Sequence, residues 1–220
     1  MDSAPSAALH RAWSRFSDRW WLKNLGYSAY LTVFMTVYFV LLRHPLFQVR
    51  TLPLTALDHA IGFTPWSLIL YGSLWFYISL VPCLLHAWSE MRIYLTQVTL
   101  LSLVGFAIFL FWPTAVPVAD IDWSAHPSVA FLKSVDATGN ACPSMHVAFA
   151  VLTAVWLYRL LGYVGAPFWT QLFNLAWCLG IVYSTLATKQ HVAWDVYAGA
   201  PLGFALACLP PRPALAAERS

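Results

Sequence analysis

Charge is what this chain has least of. Only 10% of its 220 residues are Asp, Glu, Lys or Arg, against about 25% in a soluble domain. The formal excess of +3 is small and offers no basic stripe to a nucleic acid, so no nucleic-acid partner is expected. Cysteine is sparse. Cys83, Cys178 and Cys208 fall inside apolar runs, where a thiol acts as a small hydrophobe, and only Cys142 lies in a loop. A disulfide framework is therefore not expected. Cys142 itself reads as a packing residue in preference to a reactive thiol. Gly-rich phosphate loops, H-E-x-x-H and paired cysteines are missing, and His10, His44, His59, His86 and His126 are scattered along the chain. Neither a metal nor another cofactor is expected.

What the chain has is apolar length: 60% of it is hydrophobic. A span needs about 17–25 apolar residues. The runs Leu25–Leu42, Trp66–His86, Ile93–Trp112, His146–Leu161, Phe168–Leu186 and Val192–Leu209 predict an all-α, polytopic membrane protein with a six-helix bundle over residues 25–209. The fourth run is short and needs shielding by its neighbours. The first is long for a leader peptide, and Arg43-His44-Pro45 after it is no cleavage site, so an uncleaved span is expected. Residues 1–24 form a separate segment and 210–220 a tail. Between Leu9 and Asn24, Arg11, Arg15, Arg19 and Lys23 recur every four residues, opposite Leu9, Trp13, Phe16 and Trp20. That pattern predicts one helix lying in the headgroup layer with its bases on anionic lipid; the alternative is a solvated tail.

The bases also set the orientation. With the N-terminus inside, Arg11, Arg15, Arg19, Lys23, Arg92, Arg159, Arg212 and Arg219 are inner, while Arg43, Arg50, Lys133 and Lys189 are outer. Eight against four favours both termini inside. The outer loops are then His44–Pro65, Pro113–Met145 and the turn Ala187–His191. His146 opens the fourth run and His191 the sixth, so both lie on the outer, extracytoplasmic face, in a membrane of the bacterial cytoplasmic type. The loop Pro113–Met145, with Asp120, Asp122, Trp123, His126, Lys133, Asp136 and Asn140, reads equally as a lid and as a plain surface loop.

Polar residues at the edges of these runs are costly to keep and point to chemistry. His191 and Asp195 are four apart, one turn on a helix face, so the carboxylate can hold one ring nitrogen and leave the other free to attack. A structural hydrogen bond between helices is the plainer reading. Ser144, after Pro143, is a candidate N-cap, which puts His146 in a first helical turn beside free N–H groups that suit a phosphate and a leaving oxygen. Lys189 adds a cation, and Ser184 and Thr185 add hydroxyls. Their plainer readings are a snorkelling base and helix back-bonding. Together the set suits phosphoryl transfer through a phosphohistidine on His191.

These stretches also resemble a known family. Cys142-Pro143-Ser144-Met145-His146 and S-T-x5-H-x3-D over Ser184–Asp195 resemble the second and third signatures, P-S-G-H and S-R-x5-H-x3-D, of the type 2 phosphatidic acid phosphatase superfamily. The Lys189-Gln190-His191 variant is similar to the branch holding the inositol phosphorylceramide synthases. The resemblance implies His191 as nucleophile, Asp195 as its orienter and His146 as acid. Two features depart from the pattern: Thr185 stands where the family has Arg, and no K-x6-R-P occurs near Phe111–Pro117. Arg43 or Arg50 could fold over the site instead. The expectation is an integral membrane lipid phosphatase whose partners are a phospholipid or isoprenoid phosphate and the surrounding lipids. A phosphotransferase to an alcohol acceptor is the alternative, and a non-catalytic lipid-binding protein the third.

Overall fold

The computed structural model describes residues 4–135 and 139–210; Asp136, Arg212, Arg219 and the tail from 211 onward lie outside them. Ten α-helices follow in order among the described residues. They are α1 (Ala4–Ser17), α2 (Trp20–Arg43), α3 (Ala56–Ala60), α4 (Leu68–Gly72), α5 (Leu74–Leu84), α6 (Trp88–Phe111), α7 (Pro127–Val135), α8 (Met145–Val164), α9 (Phe168–Ala187) and α10 (Ala193–Cys208). A two-residue parallel pair, β1 (Arg50–Thr51) with β2 (Thr114–Ala115), ties the first long loop to the second, a small exception to an all-helical chain. Among the described residues four stretches are long and apolar enough to cross a membrane: α2, the α4–α5 stretch from Pro65 to Leu84, α6 and α8. α10 has 16 residues, and α9 is diluted by Gln171 and Asn174.

Three departures from expectation have a clear local reason. α6 begins at Trp88, not Ile93, because Glu90 reaches back to the free N–H groups of His86 at 2.8 Å and Ala87 at 3.2 Å. α8 is a full 20 residues; it continues past Leu161 until Gly165, at φ 73°, lets Ala166 N–H close on the Leu161 carbonyl. The expected single helix over Leu9–Asn24 is broken at Asp18–Arg19, with Arg19 in the left-handed region at φ 50°.

That break turns three of the four bases, Arg11, Arg15 and Lys23, onto the protein, while Arg19 stays exposed 3.7 Å from Asp18. Arg11 donates twice to the Val164 carbonyl, at 3.0 and 2.7 Å. Arg15 pairs with Glu90 at 3.2 Å and lies over the Tyr163 ring. Lys23 donates to the carbonyls of Arg15 at 2.6 Å and Cys83 at 3.1 Å. The C-terminal carbonyls of α5 and α8 have no intrahelical donors, and these cations supply them. Leu9 and Trp13 remain exposed on the opposite side of α1.

α8 is the most enclosed of the four long apolar stretches and α2 the least. α8 packs on α5, α9 and α10. Its contact with α10 is backbone to backbone. A Cβ added at Gly199 would fall on the Ser144 carbonyl oxygen, and one at Gly203 on that of Ala148. Between α5, α8 and α9 the buried Asn174 is paired on both sides, accepting from Tyr77 at 2.6 Å and donating to the Ala154 carbonyl at 3.0 Å.

Candidate active site

His191 does not lie on a helix. It sits two residues before α10, in the turn from α9, and Asp195 occupies the third position of α10. The carboxylate folds back over the helix start, where Oδ2 accepts from Val192 N–H at 3.0 Å and meets His191 Nδ1 at 3.1 Å. The pairing expected from a shared helix face therefore arises from an N-terminal cap. The turn is held from below by the Thr185 carbonyl, which accepts from Gln190 N–H at 3.2 Å and His191 N–H at 3.0 Å. Asp195 is fully buried and His191 is 8% exposed.

His146 faces this pair, its ring centre 6.1 Å from that of His191. Ser144 caps α8 by accepting from Val147 N–H at 3.3 Å, and its own N–H donates to the Asp195 carbonyl at 3.1 Å. The two chemically loaded helix starts are thus joined directly. Tyr71 stacks on the His146 ring at 4.1 Å and its hydroxyl is 3.4 Å from Nδ1, while Trp75 presents an edge at 5.8 Å. His146 Nε2 is buried without a partner among the described residues, as is Gln190 Nε2.

The other candidate residues have different surroundings. Ser184 and Thr185 donate their hydroxyls to the carbonyls of Ile181 at 2.6 Å and Val182 at 2.7 Å, and both are fully buried. Arg43 lies over the Phe39 ring at 5.5 Å and Arg50 over Trp112 at 5.0 Å. Lys189, at φ 57°, turns its ammonium to the carbonyls of Asp58 at 3.1 Å and Ile61 at 2.6 Å, which end α3. Burial pulls the Lys189 pKa below its ordinary value, and the nearby Asp58 charge opposes that in part. Beside the site, burial and then the Asp195 charge push the Cys142 thiol up to about 11.

Asp58 itself is a site residue that the sequence reading missed. Its Oδ1 accepts from Ala193 N–H at 2.8 Å, and its Oδ2 from Thr55 N–H at 2.8 Å and the Thr55 hydroxyl at 2.7 Å. With Lys189 it grips the His191 turn on both sides. The Thr55-x-x-Asp58 cap was readable as a local signal, but nothing local ties it to residues 189–193. α7 meets the same turn, since Lys133 donates to the Lys189 carbonyl at 2.9 Å while its ammonium is 4.8 Å from the Trp123 ring centre. Leu132 and Val135 of α7 line a cavity of about 540 Å³ that also reaches His146 and His191. The long second loop therefore covers the site. Among the described residues no group of three His, Cys, Asp or Glu lies together as a metal site would need.

The arrangement is a carboxylate-held imidazole facing a second imidazole at the end of an apolar cavity. Such a set can attack phosphorus and protonate a leaving oxygen. No curated protein and no solved structure matches the chain. The PAP2 superfamily profile matches residues 91–212, from α6 through the end of α10. That stretch is more than half of the chain and contains both histidines and Asp195, so the protein belongs to the PAP2 superfamily.

Proposed function

We propose that the protein is an integral membrane lipid phosphatase with six spans, the four long apolar stretches together with α9 and α10, and with its site on the extracytoplasmic face. The observation that carries this reading is the His191–Asp195 contact at 3.1 Å, set opposite His146 at the end of an apolar cavity. Asp195 accepts the Nδ1–H of His191 and leaves the Nε2 lone pair to attack phosphorus. The phosphorus–oxygen bond to the lipid breaks as His146 gives its proton to the departing alkoxide. Water, deprotonated by His146, then attacks phosphohistidine, releases phosphate and restores both rings. Donors to the phosphoryl oxygens include the free N–H groups at the start of α8 and the buried Gln190 amide. Lys189 acts by holding the turn to α3.

A phosphotransferase is the second reading. The enclosure of His191, 8% exposed, favours an alcohol that arrives along the cavity over bulk water. One experiment addresses both. The purified protein in vesicles is given lipids labelled on phosphorus, and the products are followed with and without a lipid alcohol. Free labelled phosphate and an acid-labile label on His191 are expected. His191→Ala should lose both, by at least about 10³-fold. Label appearing only on the added alcohol would replace the phosphatase by the transferase, and full activity in His191→Ala would remove the nucleophile assignment.

A further inference from the structure

The two imidazoles of the site are held by unlike means. His191 Nδ1 meets a carboxylate, Asp195 Oδ2, at 3.1 Å. His146 meets no carboxylate among the described residues. Its Nε2 is buried without a partner, and its Nδ1 has the Tyr71 hydroxyl at 3.4 Å. That contact is long and poorly aimed. The Tyr71 and His146 rings are stacked, with 4.1 Å between centres and 21° between planes. The hydroxyl oxygen therefore lies above the imidazole plane and not in line with the Nδ1 lone pair. What Tyr71 offers His146 is its ring face more than its oxygen. Trp75 meets the same imidazole at 5.8 Å and 77°. Ser73, between α4 and α5, keeps a helical backbone at φ −65° and ψ −14°, so Tyr71 and Trp75, four residues apart, share one face. This face is fixed in place. Trp177 Nε1 of α9 donates to Ser73 Oγ at 2.9 Å, Ser73 Oγ donates to the Leu70 carbonyl at 2.6 Å, and Tyr71 is 3% exposed.

We propose that Tyr71 is a positioning residue for the acid step: its ring face aims His146 Nε2 at the leaving oxygen and favours the charged ring that donates there. This rests on the phosphoryl-transfer reading of the site and adds a residue to it. In that step His191 Nε2 bonds to phosphorus as the phosphorus–oxygen bond to the lipid breaks. The departing alkoxide takes the Nε2 proton of an imidazolium, which leaves His146 neutral with its proton on Nδ1. An imidazolium in a buried site needs stabilisation, and an aromatic face supplies it. A carboxylate would supply more, but it would also hold back the proton that has to leave. The nucleophile, which gains positive charge as it bonds to phosphorus, has the carboxylate instead.

Leaving groups separate this role from a structural one. The full-length protein in mixed micelles is given two monophosphates of matched tail. One is the ester of a long-chain alkanol, and the other that of an alkyl-substituted nitrophenol, whose phenolate departs without a proton. The kcat/KM reports the steps up to phosphohistidine. Tyr71→Leu removes the ring face and should lower kcat/KM at least about 30-fold on the alkyl ester, with a loss at least about tenfold smaller on the aryl ester. Tyr71→Phe keeps the face and should stay within about fivefold of the unaltered protein on both. In a His146→Ala background, Tyr71→Leu should add less than about threefold on the alkyl ester, because it acts through the ring already removed. Equal losses on both esters, a loss in Tyr71→Phe as large as in Tyr71→Leu, or an undiminished effect in His146→Ala would overturn the role. A second readout needs neither turnover nor the Leu variant. With isotope-labelled histidine, the His146 ring protons, assigned through His146→Gln, should resonate upfield of ordinary imidazole positions in the unaltered protein and in Tyr71→Phe, because they lie over the Tyr71 ring. Ordinary positions would remove the stack and the proposal with it. An unaltered protein that neither releases phosphate from these esters nor passes it to an added alcohol would remove the phosphoryl-transfer reading, and the acid step with it, whereas the other adverse outcomes remove Tyr71 alone.

Discussion

Asp195 serves two donors with one oxygen. Its Oδ2 takes both Val192 N–H and the His191 ring, while Oδ1 is buried without a partner among the described residues. The charge on that carboxylate, and not merely its shape, is what stabilises a cationic or phosphorylated imidazole. Asp195→Asn should therefore lower kcat by about 10³-fold with KM within about threefold, read from steady-state phosphate release. An unchanged kcat would reduce Asp195 to a helix cap. Cys142 reports on the same charge. A thiol raised from 9.0 to about 11 by burial and then by Asp195 is about 1% thiolate at pH 9, where an ordinary thiol is about half. Its alkylation at pH 9 should be about fifty-fold slow and climb only towards pH 11. The sign for stability is the same: the folded form keeps its proton longer, so the contribution is full below pH 9 and lost as pH rises through about 11. Asp195→Asn removes the smaller cause and should speed the reaction; labelling followed by mass spectrometry, with Cys83, Cys178 and Cys208 replaced, measures both.

At the scale of elements, a five-residue helix does more than its length suggests. α3 holds the His191 turn through Asp58 to Ala193 on one side and through its C-terminal carbonyls to Lys189 on the other. Displacing a reacting group by about 1 Å can cost about 10²-fold. Asp58→Ala is expected to lower kcat about 10- to 100-fold while KM stays nearly constant, and Asp58→Asn, which keeps one acceptor oxygen, should recover part of the loss. If activity per folded molecule, with the folded fraction taken from a thermal melt, is unchanged in Asp58→Ala, the positioning role falls. Much around this turn was legible in the sequence. The apolar runs announced the helices, Ser144 announced its cap, and the polar punctuation drew attention to His146, His191 and Asp195. The α3 clamp was not, because its partners lie 128 to 135 residues away in the chain and no periodicity connects them. The N-terminal break was hidden for a related reason. A four-residue spacing of bases looks the same whether the acceptors are lipid phosphates or the carbonyl ends of α5 and α8, and only packing tells them apart. The Glu90 cap was overlooked because an acid next to Arg92 looks like a loop until its two N–H donors are seen.

For the whole molecule, the proposed six spans require an even count and put residues 1 and 220 on one side. A reporter fused after Ser220 should be active only as a cytoplasmic reporter, and a single cysteine placed at exposed Val118 should react with an impermeant reagent from outside. The opposite pair of results would invert the orientation and move the catalytic face. Within that frame the molecule is mechanically divided. Gly199 and Gly203 bring α10 so close to α8 that neither helix can slide without backbone striking backbone, and these are the helices that begin beside His191 and His146. α2, by contrast, is the least enclosed of the long helices and forms the outer wall of the cavity. With so little of α2 enclosed, displacing that wall costs less buried contact than displacing the α8–α10 frame, which keeps the distance between the two imidazoles. Exchange of bulky cargo and constancy of the reacting geometry are thus assigned to different parts of one small bundle, and loosening the first leaves the second in register.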